Sequence, residues 1–275
     1  MIGLYINWDV DSEIINIGGF PIKYYGLLFA AGLLLSMSIL KKIYKKENLN
    51  DSAHEALFLY GIIGIFVGAR LGHCFFYDFD YYSKNLVEII LPIKKTITGD
   101  YKFVGFSGLA SHGGTVGLLI SLYLYSKKYK IKYLKILDLI AIVAPLGAGF
   151  IRLANLMNSE MIGNPTTLPW AFIFKRVDTI PRHPAQLYEA IAYFIIFLLL
   201  FITYKTKNIT IGNGFYFGLA ITLIFSMRIL IEFVKINQVA FEEGMKLNMG
   251  QILSIPFIVI GLYFTIRNWR NKEMN

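Results

Sequence analysis

Seven ionisable side chains stand inside stretches of this chain that are otherwise apolar: Arg70, His73, His112, Asp138, Arg152, Arg228 and Glu232. Tyr24 and Tyr25 open a further apolar stretch, beside Gly26. A charge in the middle of a membrane-spanning segment costs about 2.5–3.5 kcal/mol on insertion scales, so each such group is a functional candidate by default. Their chemistry is of two main kinds. Arginine stays charged in a poor solvent and presents a planar fork that fits phosphate. Histidine exchanges a proton near neutral pH. Spacing adds detail. Arg152 and Asn155 are three apart and share a helix face, and Arg228 and Glu232, four apart, can pair and so fix the guanidinium.

The apolar stretches must position these groups. The 275 residues are 56% hydrophobic and 16% charged, whereas soluble domains carry about 25% charged residues. A span needs about 20 mostly apolar residues. Seven segments qualify: 22–40, 56–77, 108–126, 136–157, 188–204, 214–234 and 250–267. The expected fold is therefore an all-α integral membrane protein, one seven-span domain over residues 1–275. Segment 86–93 is too short to cross and reads as an interfacial piece or a strand within a loop. Pro145 removes a backbone donor in the fourth span, where a kink is expected, and Gly147 and Gly149 allow close helix approach. The first residues hold three acids and no Lys or Arg, so a cleavable signal peptide is not expected.

Lysine and arginine set the orientation. Segments 41–55, 127–135, 205–213 and 267–275 hold 14 of them in 42 residues, against 9 in 96 for the alternate set. The dense set faces the cytoplasm. The N-terminus is then outside, the C-terminus is inside, and the two longest loops, 78–107 and 158–187, are outside. The net charge of +9 follows from these inter-span lysines and does not point to nucleic acid.

With that topology Tyr25, Arg70, His73, His112, Arg152, Arg228 and Glu232 all fall within about 10 Å of the outer boundary, at 1.5 Å per residue. Only Asp138 lies at the inner end. A conduction path needs polar groups through the depth or a site near the midplane. A site beneath the outer surface suits an enzyme acting on outer-leaflet lipid or on exported protein. A lone arginine can simply snorkel to the interface; three on three spans, with a His and a Glu at similar depth, argue for a site. The single cysteine, Cys74, permits no intramolecular disulfide and no zinc cluster, and reads as a buried thiol. SHGGTVG lacks the lysine and the preceding strand of a phosphate loop.

Six stretches in order resemble one family: YYG at 24–26, GARLGHCFFY at 68–77, SHGGTVG at 111–117, RLANLMNSEMIGNP at 152–165, HPAQLYEA at 183–190 and RILIEF at 228–233. Together they resemble the bacterial prolipoprotein diacylglyceryl transferases, from about residue 15 to 267. That resemblance implies a seven-span inner-membrane enzyme with its active site toward the outer leaflet. The cysteine thiol of a preprolipoprotein lipobox attacks the diacylglyceryl carbon of phosphatidylglycerol, and glycerol phosphate leaves. No metal or dissociable cofactor is implied. The partners are phosphatidylglycerol, the preprolipoprotein signal peptide and membrane lipids.

By the same resemblance His112, Arg152 and Arg228 are the catalytic residues; their chemistry makes His112 either the base that takes the thiol proton or a headgroup ligand, and puts the arginines on the phosphate. Tyr25, Asn155, Glu160, Gly163 and Glu232 match the family's motifs as a substrate-binding set, Arg70 joins them by its depth in the second span, and Asn155 and Glu160 are suited to the glycerol hydroxyls. The sequence departs from the family's fourth-span pattern at Ile151, Ala154 and Ser159, each standing where glycine is usual. The competing expectations are a transporter or lipid flippase, which needs polar groups toward the inner side, and a structural subunit whose arginines only snorkel.

Overall fold

The computed structural model describes residues 5–91, 93–96, 100–103, 108–206, 209–236, 245 and 247–273. Among them the architecture is mostly helical. Six helices are long and apolar enough to cross a membrane: α1 (Tyr24–Lys46), α2 (Asp51–Phe76), α6 (Tyr133–Met157), α7 (Ala185–Thr206), α8 (Phe215–Glu232) and α9, which runs Met249–Glu273. Two one-turn helices follow α2, α3 (Phe79–Tyr82) and α4 (Val87–Ile90). The expected third span is α5 (Ser111–Tyr129). Its Ser, His, three Gly and paired Lys make it less apolar than the other six. Segment 86–93 holds both α4 and the first residue of strand β4 (Ile93–Lys95), so the loop contains a helical turn as well as a strand.

The chain divides into two compact units. The first comprises residues 1–43 and 137–275. Its helices pack through apolar faces and small residues: Ser36 Oγ of α1 donates to Val143 O of α6 at 3.4 Å, and Phe194 of α7 lies against Gly149 of α6. Helix α6 continues through Pro145 without a break.

The start of α6 is tied to the start of α8 by one acid. Asp138 is fully buried, and its carboxylate accepts from the backbone N–H of Gly212 (2.8 Å), Gly214 (3.0 Å) and Phe217 (2.9 Å). These include donors at the start of α8 that have no partner within the helix, and a carboxylate there also faces the positive end of the helix dipole. Asp138 is therefore a cap for the turn that leads into α8.

At the other end of this unit the chain forms a small sheet absent from the sequence expectation. Strand β1 (Ile6–Trp8) pairs in parallel with β6 (Phe172–Phe174), which pairs antiparallel with β7 (Pro181–Arg182). Leu156, Phe172 and Phe174 form the core beneath it, with Trp8, Ile162 and Leu187 packed on. Trp8 Nε1 donates to Leu156 O at 3.0 Å. In the loop between β6 and β7, Asp178 holds Arg182 through a two-pronged pair with a closest approach of 2.6 Å, which keeps the Asp178 carboxyl below the usual carboxylate range. A separate hairpin joins β2 (Glu13–Ile17) to β3 (Phe20–Lys23).

The second unit, Tyr44–Ile136, is built on α2 and α5. Their contact is a seam of glycines: a Cβ on Gly72 would stand 2.7 Å from Gly113 Cα, and Gly68 meets Gly117 as closely. Only residues without side chains let two helix backbones approach to this distance. Tyr44, Tyr125 and the carbonyl of Ala53 form a buried hydrogen-bonded chain at the end of the seam. Cys74 is free and fully buried, as expected of a packed thiol. Loop residues Ile93–Lys95 pair with β5 (Tyr101–Phe103).

Candidate active site

In the first unit a cluster of charges is gathered where α6, α7 and the end of α8 come together. Arg152 Nε of α6 lies 2.9 Å from Glu189 Oε2 of α7. The other oxygen of Glu189 accepts from Lys235 Nζ at 3.2 Å, and the same ammonium lies 3.6 Å from Glu232 Oε2. Glu189 and Lys235 are almost wholly buried, 2% and 5% exposed at the side chain, while Arg152 is 22% exposed. Two cations and two carboxylates therefore balance within the cluster. Buried charges demand this pairing, because removing any one leaves an uncompensated charge in a poor solvent.

Arg152 is also held by its neighbours along the chain. Its Nη1 donates to Asn155 Oδ1 at 3.3 Å, as the three-residue spacing requires. Asn155 Nδ2 donates in turn to Glu160 Oε1 at 2.7 Å, and Asn158 Nδ2 reaches the same oxygen at 3.3 Å. The hydroxyl of Tyr193, one turn beyond Glu189, shares a hydrogen bond with Arg152 and also feels the charge of Arg228.

The expected pair between Arg228 and Glu232 does not form. Lys235 lies between the two buried carboxylates instead, hydrogen-bonded to Glu189 and 3.6 Å from Glu232 as an ion pair. Arg228 is exposed, and no hydrogen bond or ion pair joins it to another of the described residues. Among the described residues its guanidinium is thus a free positive charge near Tyr193 and Arg152.

Gly163 sits where backbone strands cross. Its N–H donates to His183 O at 2.9 Å, and it forms an isolated bridge with Lys235. A Cβ there would stand 2.5 Å from Val234 O and 2.7 Å from His183 Cβ. Asn164 closes the same junction through its N–H to Val234 O and its Nδ2 to Lys235 O. Gly163 thus positions Lys235 through the backbone. Burial pushes the His183 imidazole below its usual pKa, and its Nδ1 lies 3.3 Å from the Tyr188 hydroxyl. Tyr25 opens α1 half-buried, and no described hydrogen bond joins it to the cluster.

The three fourth-span departures are accommodated differently. Ala154 is fully buried, so its methyl fills core space, and Ile151 is half-buried. Ser159 has φ +55°, its hydroxyl is buried, and it has no partner among the described residues. A left-handed backbone costs a non-glycine residue roughly 1–2 kcal/mol. Ser159→Gly is accordingly expected to stabilise the protein by about 1 kcal/mol, read as a higher unfolding temperature in detergent. A lower one would show that the serine makes a contact worth more than this strain.

The second unit carries the remaining two predicted residues. His112, second residue of α5, is exposed and lines a groove of about 1020 Å³ along the glycine seam. That groove is mostly apolar, with Ile63, Val67, Leu71, Val116 and Ile120 on its walls. Arg70 is buried. Its guanidinium donates to the carbonyls of Glu88, Ile89 (3.2 Å) and Gly108 (3.4 Å) and lies over the Tyr82 ring at 4.8 Å. These contacts fasten α3, α4 and the segment before α5 to α2. Among the described residues no group of His, Cys, Asp and Glu could hold a metal ion.

Residues 12–267 match the family profile described as prolipoprotein diacylglyceryl transferase. The chain belongs to the prolipoprotein diacylglyceryl transferase family. A relative from Bacteroides fragilis named phosphatidylglycerol--prolipoprotein diacylglyceryl transferase is 53% identical over 271 residues, 98% of each chain. Relatives of the same name from Chloroherpeton thalassium and Porphyromonas gingivalis are each 41% identical, covering 98% and 97% of this chain and 97% and 96% of their own. Family membership makes the charged cluster the candidate active site of a transferase. The sequence reading missed two of its members, Glu189 and Lys235. Glu189 lies within HPAQLYEA at 183–190, where its spacing matches the ordinary start of a span, and Lys235 has the spacing of a loop lysine.

Proposed function

We propose that this protein transfers the diacylglyceryl group of phosphatidylglycerol to the lipobox cysteine of a preprolipoprotein. The observation that carries this is the 53% identity, over 98% of both chains, to a protein named for that reaction. In the reaction the cysteine sulfur attacks the diacylglyceryl carbon that bears the phosphate. The carbon–oxygen bond breaks, its electron pair leaves on glycerol phosphate, a thioether forms, and the thiol proton passes to a base.

The residues fit these roles. A thiol of pKa about 8.5 is mostly protonated at neutral pH, so His112 takes its proton. The apolar groove beside His112 offers a bed for an acyl chain. Arg228, unpaired, binds the phosphate, and the charge growing on the leaving oxygen strengthens that contact. Arg152, fixed by Glu189, Asn155 and Tyr193, presents a second positive charge to the same headgroup. Asn155 and Glu160 meet glycerol hydroxyls, and Tyr25, Gly163 and Glu232 complete the binding set, with Arg70 acting by holding the loop after α2. The lysine distribution supports seven spans in one membrane domain of the bacterial inner membrane, α5 included, with the N-terminus outside and the site toward the outer leaflet.

The test is transfer from phosphatidylglycerol to a lipobox peptide by purified protein, with released glycerol phosphate matching modified peptide one to one. Arg228→Lys keeps the charge and loses the planar fork. It is expected to lower kcat/KM at least tenfold, since charge-assisted bonds to one oxyanion are worth about 1.5–3 kcal/mol. A rate within threefold of wild type would mean that point charge alone suffices there.

A further inference from the structure

Gln186, in the first turn of α7, is fully buried, and neither its amide oxygen nor its amide nitrogen has a hydrogen-bond partner among the described residues. A glutamine amide carries one acceptor and two N–H donors. Buried polar side-chain atoms are in the large majority hydrogen-bonded, and an orphan marks a missing partner such as a water or a ligand. Packing gives no reason for the amide, because Met or Leu fills the same space without leaving polar atoms unpaired. Placement gives one. Gln186, Glu189 and Tyr193 are spaced by three and four residues, so they form one stripe along α7. The other two members of that stripe both bind Arg152. The orphan amide therefore extends a polar stripe whose remaining members hold the arginine assigned to the lipid phosphate.

We propose that Gln186 is a further substrate-binding residue, holding a hydroxyl of the glycerol headgroup of phosphatidylglycerol. The inference rests on the donor lipid assigned above. A hydroxyl both donates and accepts, so it answers the two unpaired ends of an amide together. In this lipid the hydroxyls are covalently tied to the phosphate, which puts them beside whatever the arginines hold. A peptide backbone also offers a donor and an acceptor, but nothing ties it to the phosphate.

The experiment uses the full chain in detergent, initial rates with phosphatidylglycerol and lipobox peptide, and phosphatidylethanol as a competing lipid. Phosphatidylethanol keeps the phosphodiester charge and lacks headgroup hydroxyls. Wild type is expected to bind phosphatidylglycerol more tightly than phosphatidylethanol. Gln186→Met is expected to raise KM for phosphatidylglycerol about tenfold, the scale of a lost hydrogen bond with its partner left unpaired. The peptide KM and the phosphatidylethanol inhibition constant should not move, and the unfolding temperature should hold or rise because the orphan amide is gone. A glutamine that served only packing would leave the lipid KM unchanged, and that outcome overturns the proposal. So does a rise confined to the peptide KM, which would give the amide to the peptide. If wild type does not distinguish the two lipids, the proposal falls without any variant. Absence of transfer from phosphatidylglycerol by wild type would instead remove the functional reading beneath it.

Discussion

His112→Gln is expected to slow diacylglyceryl transfer by about 100- to 10,000-fold, the usual worth of a general base. The glutamine keeps polarity and approximate size but cannot take a proton. If proton removal is the lost step, the deficit must shrink as pH rises toward about 8.5, where more of the peptide thiol ionises unaided. Initial rates against pH at saturating lipid, for wild type and variant, read this directly. Two rate profiles that stay parallel across that range, with a raised KM for phosphatidylglycerol, would reassign His112 to headgroup binding. His112 is exposed and lines a mostly apolar groove, a setting that suits either role, so the pH profile decides.

The second large effect is on stability. Glu189→Gln should destabilise the protein by about 3–5 kcal/mol, because its carboxylate is in contact with two cations, Arg152 and the buried Lys235. Arg152 is partly exposed and can recover some solvation. Lys235, 5% exposed at its side chain, cannot, and keeps only the longer contact to Glu232. Adding Lys235→Met to the variant should restore part of the loss, since the uncompensated charge leaves with the ammonium. Reversible unfolding in mixed micelles measures both. A single variant within about 1 kcal/mol of wild type would mean that water or lipid headgroups solvate Lys235, and that burial of the cluster does not govern its energetics.

These two residues differ in how visible they were. His112 stood out in the sequence because a charge-bearing ring followed by two glycines interrupts an apolar run. Arg152, Arg228 and Glu232 stood out for the same reason, and the Arg152–Asn155 contact followed from helical spacing alone. Local spacing dictates such contacts, because a helix fixes which residues three and four apart meet. The same rule failed for Arg228 and Glu232, where Lys235 lies between two carboxylates instead.

What the sequence determined by itself is therefore what hydropathy and helix period decide: a chain of membrane helices, the positions of the long apolar segments, a buried Cys74, and the residues that pay to be charged among them. Tertiary structure alone decided which charges meet. The parallel pairing of β1 with β6 joins residues more than 160 positions apart through three-residue strands, too short to carry a periodic signal. Asp138 looked like a lone inner-end acid until the turn at 212–217 folded over it. Glu189 and Lys235 gained their meaning only when the Gly163 junction drew the end of α8 against α7. Long-range pairing of this kind is set by which backbones can approach and which buried charges must be neutralised, and neither is written in the spacing along one helix.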